Sequence, residues 1–289
     1  MGGPWTALGV AASLVACCGA ALAQPPSWTQ PVQPFRIAPG VYYVGTRGLA
    51  AYLITSPQGA ILLDGTVAAN APLIERNIQT VGVPLKRVKL IVSDHAHHDH
   101  VGAIAKIKRD TGAAFDASAG DAVALERGMP RGDTDYAAIG FPPIKVDRVI
   151  RDGQSVAVGD AVLTAVLTPG HTPGCTSWST TVSDGGRRRR VLFLCSLTVA
   201  GNLLVGNRAY PAIAADFQTT FARLSTMKAD IVLTSHPEMA DVLGREARAK
   251  AGDRDAFIDP QTLPRIVARS KADFEAALAQ ARRAKRVVP

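Results

Sequence analysis

Four of the six histidines of this chain lie within six consecutive residues, and no other feature of the sequence constrains its fold as strongly. The block reads His95-Ala96-His97-His98-Asp99-His100. It follows the apolar run 89–92, which predicts a buried β-strand, and it precedes a segment whose apolar residues at 101, 104 and 107 predict a helix. A sharp turn between a strand and a helix lets polar side chains from neighbouring positions converge on one point.

The residue types in this block are those that bind zinc in proteins, since imidazole is a preferred ligand and carboxylate is accepted. His95 and His97 are two residues apart, so they point the same way and can bind one ion. Asp99 and His100 then turn towards a second ion, whereas His98 is expected to point away. The block therefore predicts parts of two metal sites.

Two further histidines offer one more ligand for each ion. His171 lies in the turn-rich segment 168–174, and His236 follows the apolar run 230–233, so both stand at predicted strand ends, where a rigid sheet can aim side chains into one cleft. A single histidine there is more often an ordinary surface or core residue, and a His/Asp cluster is sometimes only an adventitious metal-binding tract. Five of the six histidines nevertheless fall where a two-ion site needs them.

Strands and helices alternate after an N-terminal all-strand portion, which favours sheets covered by helices in a single domain of residues 24–289. Strands are predicted at 41–44, 52–55, 60–63, 89–92, 114–115, 161–167, 176–181, 191–194 and 230–233, and helices at 71–81, 101–107, 121–126 and 213–224. A last helix is predicted to begin at Ser270, with Asp273 completing a capping box. The segment 128–143 is rich in Gly, Pro and Asp and predicts a long, functional loop.

The first 23 residues carry no charged side chain and predict a secretory signal peptide that is cleaved after Ala23. Their apolar run 7–16 is too short for a permanent membrane anchor, so stable membrane insertion is not expected. Leu14–Cys17 offers an alternative, because this segment resembles a bacterial lipobox that would lipidate Cys17. We expect a periplasmic protein.

Two cysteines, Cys175 and Cys195, remain once the signal peptide is removed. An exported protein meets an oxidising compartment, which favours one disulfide between them over two buried thiols.

The net charge of +8 raises the question of an acidic partner, and Arg187–Arg190 is the densest basic cluster. Such a run can bind nucleic acid. Here it follows Asp184-Gly185-Gly186 and precedes an apolar run, so we interpret it as a solvated hairpin tip. Export to a compartment without nucleic acid argues against a nucleic-acid partner, and we expect a monomer. The composition, 47% hydrophobic and 19% charged, is that of an ordinary globular protein.

The chain resembles the metallo-β-lactamase superfamily at these residues. The metal motif of that superfamily, His-x-His-x-Asp-His, is matched without a gap at 95–100, and the resemblance extends to Leu63–Gly65, Pro169–Gly174 and Ser235–Pro237. It covers essentially the whole mature chain. It implies an α/β (α+β) fold, the αββα sandwich, with two facing mixed sheets, helices outside and metals at one edge.

Many relatives in the superfamily carry an aspartate that bridges both metals, but the segment 191–198 of this chain contains no carboxylate. The resemblance then implies two Zn²⁺ ions, the first held by His95, His97 and His171 and the second by Asp99, His100 and His236. This ligand set, together with segments 169–178 and 196–202, resembles the class B β-lactamases of subclass 3. In members with cysteines at the positions of Cys175 and Cys195, the two are paired.

Subclass 3 implies a small-molecule β-lactam substrate, whose ring amide is hydrolysed by a metal-bound hydroxide, with Asp99 as a metal ligand that also orients the hydroxide. Ser196 and Thr198 stand where hydroxyls hold the substrate carboxylate, and Asn202 stands where a residue lies near the carbonyl oxygen. Residues of these types also commonly cap or support turns without binding anything.

An apolar wall over the substrate is expected from Ile139 and Phe141 in the long loop and from Trp28 in the N-terminal arm, although aromatic residues more often serve packing. Two alternative functions stay open at this point. One is another hydrolase of the same superfamily, a lactonase or thioesterase, and the other is an exported zinc-binding protein without catalysis. The β-lactamase interpretation implies resistance to β-lactam antibiotics.

Overall fold

Seven strands form the first of two sheets in the part of the chain that the structure describes, residues 24–135 and 138–287 of a computed structural model. The strands follow one another in the sheet as they do in the chain. The first four pair antiparallel, and the fourth to the seventh pair in parallel. They are β1 (Phe35–Ala38), β2 (Val41–Tyr43), β3 (Tyr52–Ser56), β4 (Gly59–Leu63), β5 (Val88–Val92), β6 (Ala114–Ser118) and β7 (Arg148–Ile150).

Five strands form the second sheet, in the order β12-β11-β10-β9-β8. Strands β8 to β11 pair antiparallel, and β12 runs parallel to β11. They are β8 (Ser155–Val158), β9 (Ala161–Leu167), β10 (Thr176–Asp184), β11 (Arg187–Leu194) and β12 (Ile231–Thr234). Both sheets are therefore mixed, as predicted.

The arginine run belongs to a strand and not to a hairpin tip, which corrects the interpretation from the sequence. Gly185 and Gly186 form the tip, with φ of 55° and 78°, the left-handed backbone that a two-residue hairpin turn of this kind requires. Arg187 already pairs with Asp184, so β11 begins four residues before its apolar part at Val191. Arg187, Arg188 and Arg190 are exposed to solvent, so the first part of this strand accepts charged side chains.

Seven helices and four short 3-10 helices connect the strands of the described chain. The helices are α1 (Ala71–Thr80), α2 (His98–Val101), α3 (Ile104–Thr111), α4 (Ala119–Arg127), α5 (Ile213–Thr226), α6 (Val242–Lys250) and α7 (Thr262–Val287), and the 3-10 helices are Pro26–Trp28, Ala68–Asn70, Leu85–Arg87 and Pro237–Ala240. Among the described residues, no helix combines the length and the apolar character needed to cross a membrane.

The buried apolar side chains form two clusters that define the layers. One cluster joins α1 and α3 to one face of the first sheet, where Leu53, Leu62 and Ile91 point outwards. The other fills the space between the sheets, where the rings of Tyr52 and Phe193 lie 5.1 Å apart, and continues to α5 and α7. This arrangement confirms the predicted sandwich of two facing mixed sheets with helices outside.

The last helix begins at Thr262, so the predicted start at Ser270 is wrong. The apolar positions Leu263, Ile266 and Val267 are buried and continue the buried stripe of the helix towards its N-terminus. Pro264 stands in the first turn, where its missing N–H removes no intrahelical hydrogen bond. Ser270 is buried in the interior of the helix and does not cap it.

The two sheets are tied together at one edge by hydrogen bonds from buried groups. Trp178 Nε1 donates to Ser93 O at 3.0 Å, and the Tyr52 hydroxyl donates to Thr234 O at 2.7 Å. Each bond links a residue of one sheet to the end of a strand in the other. The loops that carry the histidines leave the sheets at this edge, so the sandwich fixes their positions relative to one another.

Candidate metal centre

The histidine block forms a tight turn between β5 and α2, and two buried carboxylates hold its backbone. Asp64 Oδ1 accepts a hydrogen bond from Asp94 N at 2.9 Å, and Asp121 Oδ2 accepts one from Ala96 N at 2.9 Å. Asp64 lies in the left-handed region with φ of 63°, which is uncommon for a residue other than glycine. Helix α2 begins at His98, inside the block, and not near Val101 as predicted.

Asp121 also holds the loop that carries His171. Its carboxylate accepts hydrogen bonds from Thr172 Oγ1 at 2.8 Å and from Gly174 N at 2.9 Å. Gly174 packs so closely that a Cβ there would lie 2.3 Å from Asp121 N, so only glycine fits. One side chain of α4 therefore fixes the distance between the two loops that supply the histidines.

Three ring nitrogens meet at a single point. His95 Nε2, His97 Nδ1 and His171 Nε2 lie 3.1 Å from one another in all three pairs. We call these residues the first trio. Burial lowers the pKa of His97 well below its usual value and lowers the pKa of His171 to about 3. Both rings are therefore neutral at pH 7.

The Nδ1 atoms of His95 and His171 point away from the other ligands, and their protonation decides whether the Nε2 atoms can bind a cation. His171 Nδ1 donates to Thr198 O at 2.7 Å, and His95 Nδ1 lies 2.9 Å from Asp94 Oδ1. A carbonyl or a carboxylate can only accept, so both Nδ1 atoms carry the proton and both Nε2 atoms present lone pairs. Two lone pairs that face each other at 3.1 Å repel, unless a cation lies between them.

Three further ligand atoms meet beside the first trio. Asp99 Oδ2 lies 3.2 Å from His100 Nε2 and 3.3 Å from His236 Nε2. We call Asp99, His100 and His236 the second trio. Burial raises the pKa of the Asp99 carboxyl, but the charge of His100 and the neighbouring His236 outweigh this effect and hold that pKa well below its usual range. Asp99 is therefore ionised.

The ligand atoms of each trio lie within 4.8 Å of one another, and their chemistry fits zinc. Tetrahedral zinc with Zn–N bonds of 2.0–2.1 Å separates two nitrogens by about 3.4 Å, close to the spacing in the first trio. In the second trio, both ring nitrogens of His100 are buried and lack a hydrogen bond among the described residues. Unpaired buried nitrogens of this kind are expected at a metal site. His98 belongs to neither trio.

Both trios open into a cavity of about 390 Å³. Trp28 and Ile139 line it, and the Trp28 ring lies 6.0 Å from the ring of His236. Phe141 was expected on the same wall, but it is buried and packs with Leu125 in the cluster beneath the first sheet. An irregular loop gives no periodicity from which the burial of one aromatic side chain could be predicted.

Ser196 and Thr198 lie on the cavity wall, with their hydroxyl oxygens 3.0 Å apart. Asn202 is placed differently. Its Nδ2 donates to His171 O at 3.2 Å and to Val199 O at 2.8 Å, and it does not line the cavity described here. The amide therefore supports the loop of the first trio.

Cys175 and Cys195 are joined as a disulfide in the structure, with Cα atoms 6.0 Å apart. The bridge connects the loop after His171 to the end of β11, and Cys195 Sγ lies 3.8 Å from His95 Nδ1. The disulfide therefore lies beside His95 and restrains the position of the first trio.

Sequence reasoning missed two buried carboxylates that support the histidines, Asp94 and Asp121. Asp121 lies in a predicted helix, and nothing in its spacing distinguishes it from a solvated residue. Asp94 offered a signal, because it stands between a buried strand and the histidine block, where a solvated carboxylate is not expected.

Comparison with known proteins agrees with this geometry. A family model described as the metallo-beta-lactamase superfamily matches residues 44–236. BJP-1, a subclass B3 metallo-β-lactamase of Bradyrhizobium japonicum, is 42% identical with a TM-score of 0.85, over 90% of this chain and 98% of that chain. A Cronobacter sakazakii metallo-β-lactamase with a HARLDQ motif is 42% identical with a TM-score of 0.84, over 88% and 97%.

FEZ-1, a metallo-β-lactamase from Legionella gormanii, is 34% identical with a TM-score of 0.83, over 88% of this chain and 98% of that chain. Similarity of this extent, in sequence and in structure, covers the sheets and both trios. The chain belongs to the metallo-β-lactamase superfamily.

Proposed function

We propose that the chain is an exported, zinc-dependent β-lactamase of subclass B3 that hydrolyses the amide bond of the β-lactam ring. One observation carries this proposal: five imidazoles and one carboxylate converge as two adjacent trios that open into one cavity. The end of β11 reaches the same cavity at Ser196 and offers no carboxylate there. Strong likeness to solved subclass B3 enzymes supports the same substrate class.

The first trio, His95, His97 and His171, is proposed to hold one zinc ion. The second trio, Asp99, His100 and His236, is proposed to hold another. When bound, two such ions supply a water with a pKa of about 7 and a Lewis acid for the carbonyl oxygen.

Asp99 is the proposed catalytic residue of the chain. Its carboxylate is ionised, and only Oδ2 faces the imidazoles of the second trio, since Oδ1 lies 3.7 Å from His98 Nδ1. A carboxylate so placed can accept a hydrogen bond from the attacking water and turn its lone pair towards the carbonyl carbon. Orientation of this kind lowers the barrier because the reacting atoms are held close before reaction.

The cavity wall is proposed to bind the substrate at its polar and apolar ends. The hydroxyls of Ser196 and Thr198 can both donate to the carboxylate beside the ring nitrogen, and Trp28 and Ile139 cover the apolar part. Asn202 is proposed near the carbonyl oxygen, which it can reach only by releasing a hydrogen bond that its amide makes to the main chain.

Export is the remaining part of the proposal. Residues 1–23, the expected signal peptide, and Cys17, the alternative lipidation site, lie outside the described residues. The Cys175–Cys195 bridge suits the oxidising periplasm. In that compartment the activity would protect cell-wall synthesis and confer β-lactam resistance. Mass spectrometry of the mature N-terminus distinguishes a free Gln24 from a lipidated Cys17.

Hydrolysis of a chromogenic cephalosporin by the zinc-loaded protein, with and without a chelator, tests the activity. We expect turnover that the chelator abolishes and zinc restores. An acyl thioester and a lactone are assayed in parallel, and cleavage of either one without the cephalosporin would contradict the proposal in favour of another hydrolase of the superfamily. Tight zinc binding without any turnover would instead indicate a non-catalytic protein.

A pair of variants from the same turn tests the ligand assignment. His100→Ala should lose one zinc ion and most of the hydrolytic activity, while His98→Ala should keep both ions, because His98 belongs to neither trio. Metal analysis of the two purified proteins measures the difference. Equal zinc content in the two variants would contradict the assignment.

A further inference from the structure

Asp94 lies behind both trios and belongs to neither. Its side chain is buried, with the residue 4% exposed. Asp94 Oδ1 lies 2.9 Å from His95 Nδ1 in the first trio and 3.8 Å from His100 Nδ1 in the second. The two rings have their centroids 4.2 Å apart, so one carboxylate oxygen faces the outer nitrogens of a ligand from each site.

The backbone holds this carboxylate in place. Asp94 N donates to Asp64 Oδ1 at 2.9 Å, and Asp94 O accepts from Thr176 N at 2.8 Å. The backbone of Asp94 is therefore hydrogen-bonded on both sides of its Cα.

The buried carboxylate of Asp94 faces the imidazoles of His95 and His100. Neither of its oxygens has a well-aligned hydrogen bond among the described residues. Burying an ionised carboxylate costs several kcal/mol unless positive charge compensates for it. In the zinc-bound protein, positive charge would lie on the far side of the two rings, at the Nε2 atoms that face the proposed metal positions.

We propose that Asp94 is a positioning residue shared by the two zinc sites, an inference that rests on the zinc binding proposed above. It fixes His95 as the Nδ1–H tautomer, so that the Nε2 lone pair of His95 faces the first ion. It acts on His100 through its charge, since His100 Nδ1 lies 3.8 Å from Asp94 Oδ1 and also 3.8 Å from Asp64 Oδ2. Its charge polarises both rings and makes them stronger ligands, as carboxylates behind zinc-bound histidines do. Because one oxygen serves both rings, loss of the charge weakens both sites together.

The test is Asp94→Asn, which keeps the shape and an acceptor oxygen but removes the charge. Zinc affinity is measured by competition with a chromophoric chelator, and the absorption of the cobalt-substituted protein reports the ligand field. We expect the dissociation constants of both sites to rise by about 10- to 100-fold. The zinc-free variant should remain folded, which circular dichroism checks.

The matched control is Asp116→Asn. Asp116 is equally buried, but it accepts a hydrogen bond from Arg148 Nε at 3.0 Å and contacts no imidazole among the described residues. This variant should lower the unfolding temperature of the zinc-free protein and leave zinc affinity unchanged. The two variants thus separate a role in metal binding from a role in folding.

Three results would overturn the proposal. The first is unchanged zinc affinity in Asp94→Asn, and the second is weakening at one site alone. The third is loss of folded protein in both Asp94→Asn and Asp94→Ser, which would show a structural role. If the wild type itself binds no zinc, the proposed function fails together with this inference, whereas two tight ions in both wild type and Asp94→Asn overturn only the inference.

Discussion

The two trios lie side by side in one cavity, but the protein prepares them in different ways. In the first trio all three ligand atoms are nitrogens, and those of His95 and His171 are fixed as lone-pair donors by a carboxylate and a main-chain carbonyl. The second trio contains the charge of Asp99, and its His236 lies at the start of a 3-10 helix with its side chain 23% exposed. The first trio is organised by hydrogen bonds and the second by charge.

This difference predicts how each site responds when one of its residues is substituted. A site whose ligands are fixed before the ion arrives loses little conformational freedom on binding, so we expect the first trio to fill first. The second trio depends more on electrostatic attraction, so it should fill later and respond more to the surrounding charges. Each prediction below tests this contrast.

The largest effect is expected for His171→Ala. Removing one nitrogen from the first trio leaves two ligands for the first ion, and metal assistance worth several kcal/mol is lost with that ion. We expect the rate of cephalosporin hydrolysis to fall by about 1000-fold or more at ordinary zinc concentrations. Activity within tenfold of the wild type would show that the first trio is not the essential site.

A smaller effect is expected for His236→Ala. The first trio remains intact, so the variant should retain one tightly bound zinc ion and lose about 10- to 100-fold in rate, with partial recovery in excess zinc. Metal analysis before and after dialysis measures the occupancy. If the variant loses both ions, the two sites are not independent in the way that their ligands suggest.

Asp121→Asn tests the hydrogen bonds that organise the first trio. The amide group would face the donors Ala96 N, Thr172 Oγ1 and Gly174 N with one acceptor oxygen fewer, at a cost of about 1–3 kcal/mol in the free energy of unfolding. Since two of these donors flank His171, the first ion should weaken more than the second. Denaturant unfolding and zinc competition measure the two effects, and equal weakening of both ions would contradict the contrast.

The smallest effect is a pH dependence of the zinc-free protein. Burial lowers the folded pKa of His97 and His171, so the unfolded chain binds more protons below about pH 6.5, and stability should fall as the pH drops towards 3. His100 has the opposite sign, because Asp99 and Asp94 outweigh its burial and raise its pKa, so its contribution is lost as the pH rises through that raised value.

The zinc-free protein should therefore be most stable near pH 6.5, with the first trio responsible for the acid side and the second for the alkaline side. Urea unfolding at a series of pH values measures this profile. A stability that rises steadily as the pH falls below 6.5 would contradict the pKa directions of the first trio.

Local patterns were sufficient to predict much of the fold. The spacing of Ile213, Phe217, Phe221 and Leu224 predicted α5, and all four side chains are buried. The apolar runs at 60–63 and 89–92 predicted strands that lie next to each other in the first sheet. The candidate metal ligands were found in the same way, because six consecutive residues carried most of them.

The supporting residues could not be found from local patterns. Asp121 acts through hydrogen bonds to residues 25, 51 and 53 positions away in the chain, and no spacing rule connects such partners. The start of α7 was missed because Ser270 and Asp273 have the spacing of a capping box but lie inside the helix. Phe141 was misplaced because an irregular loop gives no periodic indication of which side chains face inwards.

The hydrogen bond from His171 Nδ1 ends on the main-chain oxygen of residue 198, whereas the hydroxyl of the same residue lies on the cavity wall. Every amino acid has this main-chain carbonyl oxygen. A substitution at this position can therefore change the cavity wall while the main-chain oxygen continues to orient the imidazole of His171, so the shape of the cavity and the orientation of this proposed ligand can vary independently.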